Sequence, residues 1–597
     1  MIDRMTKYSF ILLNGEEGAL LDLLQGLGLM DITRSEKAVD EKSSEISGEI
    51  DLVEGLIRGI QNVRIPEGTK PVARPEEDLV RLAGGILMRY TDASTRVAAL
   101  RKEKDDLKHW GTFDPSVLQK LSDAGIPLHF HILSPKQFKP EWHQQYALSV
   151  ISKGKERIYF VVAGEDGLPG EVTAPERNVS AADKELQEAL RENAALEGII
   201  ADLKGRLPEL EAIRRDAYTR LDKCLAGQAA VPAAENTILT LVGYAPTESD
   251  PAVAKALDEA GVFYLQEAAV SADQPPIRFK NNKFVKMFEV LTDMYGRPAY
   301  DGFDPTPFIA VFFLLFFAMC MGDAGYGLIL IVVGLLLKKV ESFKPLAPLV
   351  VTLGVATVVV GFFLHTFFSI DIAQWKCFEG IRGIFLPDEI AGYAGGMVLS
   401  LIVGVVHLCL AMVVKAINAV RVNGFAASLG TLGWTLLIVG GVVVGAVSLS
   451  GVLSSEVTKW VIIVIGIISL IGIFPLNNPK RNKLANVGLG FWDTYQMVTG
   501  LLGDVLSYLR LYALGLAGSM LGMAFNDMGK MVLGDGSNLI LWIPFLLLVL
   551  IGHTLNIAMC ALGAFVHPLR LNFLEFFKNS GYEAAGRKFN PLTNNNN

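Results

Sequence analysis

The chain has 597 residues, 51% of them hydrophobic, with a formal charge of −8 and a mean hydropathy of +0.37. The acidic balance argues against nucleic-acid binding. The five cysteines (Cys224, Cys320, Cys377, Cys409, Cys560) form no CxxC pair or metal spacing and read as reduced packing residues, so no metal or cofactor is expected.

The averages hide a split. Residues 1–298 are charged, whereas from Phe308 onward long apolar runs dominate. A cytosolic half followed by a polytopic membrane half is therefore expected. The opening MIDRMTKYSFILLNGEEG has too short an apolar stretch for a cleavable signal peptide.

In chain order, Tyr8–Leu13 predicts a strand and Glu17–Leu27 an amphipathic helix, with GLGLMDI as a glycine stop and a second strand. Residues 66–75 read as a loop. A heptad stripe follows, Leu79, Ala83, Ile86, Tyr90, Ala93, Val97, Leu100, Lys104 and Leu107, and a second runs from Leu186 to Leu221 with Pro208 bending it. Between them LHFHIL (128–133) and IYFVVA (158–163) predict strands of an inserted lobe. His129 and His131 alternate on the first of these and read as surface residues without further ligands. After Gly227, TILTLV (237–242) and the stretch 262–265 predict a return to the first lobe.

The N-terminal half thus predicts an α/β dumbbell, two small α/β lobes joined by an antiparallel coiled coil. One lobe is 1–75 with 228–298, the coiled coil is 76–110 with 180–227, and the tip lobe is 111–179. Such a rod suits bracing rather than catalysis.

The membrane half, 299–597, carries apolar runs at 307–337, 346–368, 392–414, 426–449, 458–475, 488–533 and 538–576. The first is too long for one span and contains Gly322-Asp323-Ala324-Gly325, a turn signal. Folding it there puts Lys280, Lys283, Lys286, Lys338, Lys339 and Lys344 on one side. Lys415/Arg421, Lys480/Arg481/Lys483 and Lys578/Arg587/Lys588 join them. The excess of basic residues on that side selects an all-α domain of eight transmembrane helices with both termini cytosolic. The 488–533 region exceeds a perpendicular span, so the last two helices are expected to be long and tilted, broken, or led by an interfacial piece. His365, His407 and His553 lie in or near spans; packing is the simpler reading for each.

Two residues break the apolar pattern. Arg510 sits inside LLGDVLSYLRLYALGLAGSMLGM (501–523), where an arginine costs roughly 2.5–3.5 kcal/mol on insertion scales and must face protein or water. On one continuous helix it would share a face with Gln496, Thr499, Gly503, Ser507, Ala513 and Ala517, all polar or small. Arg570 would share a face with His567, Gly563 and Asn556, although it also reads as the cytosolic end of a span. Arg510 is read as functional; the alternative is snorkelling to the interface.

Four runs then carry a resemblance: PPIRFKNNKFVKMFEVLTDMYGRPAYDGFDPTPF (275–308), FFAMCMGDAGYGL (316–328), LSYLRLYALGLAGSML (506–521) and HPLRLNFLEFF (567–577). In this order they resemble the membrane stator subunit of V/A-type rotary ATPases, called a in eukaryotes and I in prokaryotes. The soluble half matches in layout and through VGYAP (242–246). The resemblance implies that Arg510, the arginine of the SYxRL motif, faces the ion-binding carboxylate of the rotor, with Arg570 of the HxLRL motif assisting. It also implies two offset half-channels, with Gln496, Asp493, Asp504, Ser507 and His567 as cytosolic candidates and Asn556 and Asp527 as weaker ones elsewhere. Gln496 stands where the family often has Glu, Asp493 where another Glu is common, and Asp504 replaces a frequent Asn. The implied partners are a proteolipid rotor ring (c or K), peripheral-stalk E/G or E/H subunits, a central-stalk attachment subunit and the lipid bilayer of a bacterial or archaeal plasma membrane. The chain has no GxxxxGK[ST] loop, so ATP chemistry is expected on other subunits. An ion-coupled secondary transporter with a cytosolic scaffold domain is the alternative reading; it predicts internal repeats with broken helices.

Overall fold

The computed structural model describes the chain apart from residues 14, 35–39, 75–77, 112, 155, 165–166, 176, 234–236, 341–342, 377–379, 381–382, 384, 453, 476–482, 535–537 and 594–597. Cys377, Lys480 and Arg481 lie outside the described residues; Cys224, Cys320, Cys409 and Cys560 are free thiols. Two compact units form. One is Met1–Ile11, Leu29–Asp31 and Val242–Pro591; the other is Leu12–Gly28, Ile32–Leu241 and Leu592–Asn597.

The second unit is built on long helices. These are α1 (Glu17–Leu27), α2 (Glu41–Asn62), α3 (Leu79–Lys108), α4 (Val179–Gly205) and α5 (Leu207–Gln228). α3 and α4 pair antiparallel, with Lys104 Nζ 2.5 Å from Asp183 and Ser94 Oγ 3.1 Å from Asn193. Between those contacts Val97 and Leu100 pack with Leu186 and Ala189.

Two features differ from the heptad reading. The return segment is two helices, because Pro208 lies in the first turn of α5, where its missing N–H breaks no intrahelical bond. α2 also has a stripe, Ile46, Ile50, Val53, Ile57 and Ile60, which the sequence reading passed over because Gly48, Gly55 and Gly59 dilute its helix propensity. α2 runs antiparallel to α5, with Arg220 2.8 Å from Glu49 and the Tyr218 hydroxyl donating to Glu54 at 3.0 Å.

Strands are β1 (Met5–Leu13), β2 (Asp31–Ile32), β3 (Leu128–Leu133), β4 (Ala147–Lys153), β5 (Ile158–Ala163), β6 (Glu171–Val172), β7 (Val231–Ala233), β8 (Ile238–Pro246) and β9 (Tyr264–Ala268). The inserted lobe between α3 and α4 is an antiparallel sheet of order β4-β5-β3-β6, sealed by Trp110, Phe130 and Tyr159. His131 is buried and stacked on Phe160, and His129 pairs with Glu171 at 2.7 Å. The surface reading therefore fails for His131: β6 and the turn before it cover that face, and Nδ1 lies 3.3 Å from the Pro169 carbonyl.

The other sheet has order β2-β8-β1-β9, with β7 beside β8. In the first unit Tyr8 of β1 stands opposite Gln266 of β9, and its hydroxyl donates to Asp250 at 2.8 Å. Burial and that carboxylate push the Tyr8 phenol well above its ordinary range.

Five helical stretches among the described residues are long and apolar enough to cross a membrane: Gly395–Asn423, Ala426–Leu449, Ser455–Ile473, Asn486–Leu533 and Leu539–Ser580. Three shorter apolar helices precede them, α6 (Thr306–Met321), α7 (Ala324–Leu337) and α8 (Ala347–Phe363). Gly322 ends α6 at φ 57°, and the Asp323 side chain caps α7, so the long first run is interrupted where its turn signal lies. α7 and α8 pack at backbone contact: a Cβ built on Gly361 would lie 2.3 Å from the Ala324 nitrogen. α6 is the centre of this unit, with Phe313, Phe316 and Phe317 buried in one continuous cluster.

The remaining helices are α9 (Gly395–Asn423), α10 (Leu429–Leu449), α11 (Ser455–Ile473), α12 (Lys483–Ser507), α13 (Leu509–Leu533) and α14 (Trp542–Arg570). The 488–533 region is thus broken at Tyr508. A π-helical turn, Leu571–Phe576, follows α14. The break is confined to one residue: Tyr508 keeps right-handed helical dihedrals (φ −74°, ψ −21°), and Gln496, Arg510 and Ala517 lie on the single helical stretch Asn486–Leu533.

Candidate functional site

α13 and α14 run antiparallel. Glycine lets them approach, for a Cβ on Gly518 would lie 2.5 Å from Cys560 Sγ, and one on Gly522 would lie 3.0 Å from Asn556 Nδ2. Extending that register eight residues from Gly518 and Cys560 brings Arg510 level with Pro568, between His567 and Arg570. His567 lies within electrostatic reach of both guanidiniums. Arg510 is half-buried in the first turn of α13, and its Nη1 is buried with no hydrogen-bond partner; His567 Nδ1 is in the same state. Arg570, the last residue of α14, is exposed. Neither arginine has an ion pair among the described residues. A guanidinium stays charged at any relevant pH, so the buried, unpaired edge of Arg510 is an open electrostatic site for a carboxylate from outside this chain.

Polar side chains lie on both sides of this level. Toward the end of α12, Asp504 accepts from Asn579 Nδ2 at 2.8 Å and from Lys578 Nζ at 3.3 Å. Ser507 donates to the Gly503 carbonyl at 3.0 Å and stands beside Glu575, a residue the sequence reading missed. Glu575 is 3% exposed, and its Oε2 has no partner. Its signal was available: like Arg510, it is a charge inside an apolar run, LNFLEFF. Asp493, half-buried, and Gln496, exposed, stand further back on α12.

On the opposite side a fully bonded chain links α7, α13 and α14. The Asn556 amide donates to the Gly518 carbonyl and to the Tyr326 hydroxyl, both at 2.8 Å. The network then assigns the Tyr326 O–H to His553 Nδ1 at 2.8 Å and the His553 Nε2–H to Asn526 Oδ1 at 3.0 Å. Asn526 donates onward to the Phe368 carbonyl at 2.9 Å. Asn556, on the Arg570 face of α14 but about 21 Å further along the helix at 1.5 Å per residue, joins this cluster.

Asp323 differs in kind. Its oxygens accept backbone N–H groups of Gly325, Tyr326, Phe368 and Ser369 at 2.6–3.2 Å, which makes it a fully satisfied staple between α7 and the loop after α8. Tyr326 and Asn526 gave no sequence signal, because a lone aromatic or amide in an apolar helix reads as packing.

A family model described as the V-type ATPase 116kDa subunit family matches residues 209–344 and 493–594, which include α6, α7, Arg510, His567 and Arg570. The A-type ATP synthase subunit I of Methanocaldococcus jannaschii is 27% identical over 94% of this chain and 84% of its own length. The V-type ATP synthase subunit I 1 of Treponema pallidum is 26% identical over 99% of this chain and all of its own. That of Pyrococcus abyssi, named A-type ATP synthase subunit I, reaches 31% over 56% of this chain and half of its own. These matches support a V/A-type ATPase subunit a/I. The long apolar helices and the bacterial and archaeal relatives point to a multi-pass membrane protein. The two matched segments meet at this site: α7 from the first supplies Tyr326, and α13 and α14 from the second supply its partners.

Proposed function

We propose that this chain is the stator subunit of a V/A-type rotary ATPase or ATP synthase, forming two ion half-channels against a rotor proteolipid ring and coupling H⁺ or Na⁺ flow to rotation. The observation that carries the reading is the unpaired Arg510 guanidinium held between two polar clusters. A rotor carboxylate crosses lipid only when protonated or cation-loaded. Opposite Arg510 the bare carboxylate is favoured, so it releases its ion there, and the fixed cation blocks direct passage of other cations between the clusters. Asp504, Ser507 and Glu575 lie on the side assigned to the cytosol, with Asp493 and Gln496 toward the entrance and His567 at the level of the arginines. Asn556, Tyr326, His553 and Asn526 serve the other side. Arg570 assists Arg510 electrostatically.

The eight-span topology belongs to the same reading. α6, α7 and α8, at roughly 21–26 Å by helical rise, cross with α9, α10, α11, the α12–α13 pair and α14, the last two tilted and both termini cytosolic. Residues 1–298 form the cytosolic α/β dumbbell that grips peripheral-stalk E/G or E/H subunits and the central-stalk attachment subunit; 299–597 translocate the ion. The test is co-purification from native membrane. A proteolipid ring and an ATPase head should come down with a tagged chain; recovery of the chain alone, with intact ion transport, would end this proposal.

A further inference from the structure

We infer that Gly404 and His407 of α9 form a seat for Tyr508 that fixes the depth and direction of Arg510. This rests on the reading of Arg510 given above and concerns how its position is held.

Tyr508 is the residue at which the helix breaks, between α12 and α13, and it is completely buried. The break is tight rather than loose: the Tyr508 N–H donates to the Val505 carbonyl, and the Leu511 N–H donates to that of Tyr508, both i to i+3 bonds of 3.1 Å. The ring lies directly on Gly404, where a Cβ would come within 2.3 Å of Tyr508 Cγ. One turn further along α9, His407 Nδ1 is 2.9 Å from the Tyr508 hydroxyl. α9 thus offers a glycine for the ring and an imidazole for its oxygen at i and i+3, on one face.

The same imidazole reaches the second arginine segment. It is completely buried, lies 4.1 Å from the Phe312 ring and stacks on Phe576 at 4.7 Å and 6°. Phe576 closes the π turn that follows Arg570. His407 therefore touches both segments that carry an arginine, two residues before Arg510 and six after Arg570.

The need for a seat is physical. Two i to i+3 bonds carry the chain from α12 into α13 at Tyr508, so the phase of α13 depends on how that one residue is held. A one-residue slip at Tyr508 would move Arg510 by about 1.5 Å along the axis and about 100° around it. His407 and Tyr508 are positioning residues; neither needs to touch the ion.

The test uses assembled complexes in vesicles, reading ions taken up per ATP hydrolysed with subunit content checked. Tyr508→Phe removes only the hydroxyl, and His407→Leu removes its partner. Each should lower uptake per ATP by up to about a hundredfold, the scale of a misplacement near 1 Å. His407→Gln, whose amide can keep the Tyr508 bond, should retain most of it. Full uptake per ATP by Tyr508→Phe would overturn the inference. Arg510→Gln runs in parallel: if it pumps normally, the reading of Arg510 fails; if it is silent while Tyr508→Phe is normal, only the seat fails. Should a variant not assemble, the register of α13 against α14 is read in membranes holding the chain alone, by oxidative cross-linking of Gly518→Cys to Cys560. Slower cross-linking with Tyr508→Phe supports the seat, and unchanged cross-linking refutes it.

Discussion

The Asn556 amide donates to the Tyr326 hydroxyl at 2.8 Å across 230 residues of sequence. That bond ties α14 to α7, and through His553 and Asn526 it continues into α13, so three helices share one proton-bearing chain. Every buried polar atom between Asn556 Nδ2 and the Phe368 carbonyl has a partner. A complete network of this kind fixes helix register; in the proposed function it also serves as a path for proton exchange.

Replacing either end separates these roles. Tyr326→Phe keeps the ring but removes the central hydroxyl, leaving His553 Nδ1 without its partner. Leaving a buried polar group unpaired costs on the order of 1–3 kcal/mol. Pumping by the assembled complex should fall severalfold in a vesicle uptake assay, with assembly retained. Uptake equal to the parent would remove this network from the ion path.

Arg510 requires a permanent charge at a fixed depth. Arg510→Gln should assemble normally and pump at background, measured as ion uptake with subunit content checked by gel. Arg510→Lys should also fare poorly, because an ammonium is shorter, more strongly hydrated and able to lose its proton when buried. Arg570→Gln should be milder, since Arg570 is exposed at its helix end. An assembled Arg510→Gln complex with near-normal pumping would refute the mechanism, and failure to assemble would return Arg510 to a structural role.

The topology is open to labelling. Cysteines placed at Lys338 or Lys339, just past the end of α7, should react with an impermeant reagent only after the membrane is permeabilised. Reaction in intact cells would reverse the assigned side of that connection.

The ion pair between Lys7 and Asp273, at 2.6 Å, predicts a pH dependence in the α/β part. Its hydrogen bond to Lys7 holds the Asp273 carboxyl below the usual carboxylate range, and the same bond raises Lys7. A depressed carboxyl stabilises the fold above its unfolded pKa, and that contribution is lost as pH falls through the folded value. The raised lysine contributes fully below its unfolded pKa and loses its contribution as pH rises through the folded one. Thermal melts of the parent and Asp273→Asn should therefore differ at neutral pH and converge in acid. A constant difference down to acid pH would show that the pair is not the cause.

The sequence by itself determined which residues stand out from their surroundings. Arg510 breaks an apolar run, and the penalty for an unpaired charge in lipid is local chemistry that needs no fold to read. The amphipathic stripes of α3 and α4 likewise declared themselves, because a 3.5-residue period is a property of the chain. The turn at Gly322 and Asp323 was legible in the same way, from glycine and an N-capping aspartate.

Only the tertiary structure decided which polar residues stand together. Helical projection put Asn556 on the Arg570 face, but it could not name Tyr326 of α7 as its partner, because projection knows nothing of neighbouring helices. The stripe from Gln496 to Arg510 was drawn on one helix, and only the structure shows that its ladder tightens to i to i+3 bonds at Tyr508. Neither proline nor glycine stands beside that break; the Tyr508 ring packs against Gly404 and its hydroxyl meets His407, about a hundred residues away. Side-chain chemistry is written locally, whereas partners and helix phase are set by contacts between distant segments. The arginines could therefore be named from the sequence, but the contacts of Tyr508 with Gly404 and His407 could not.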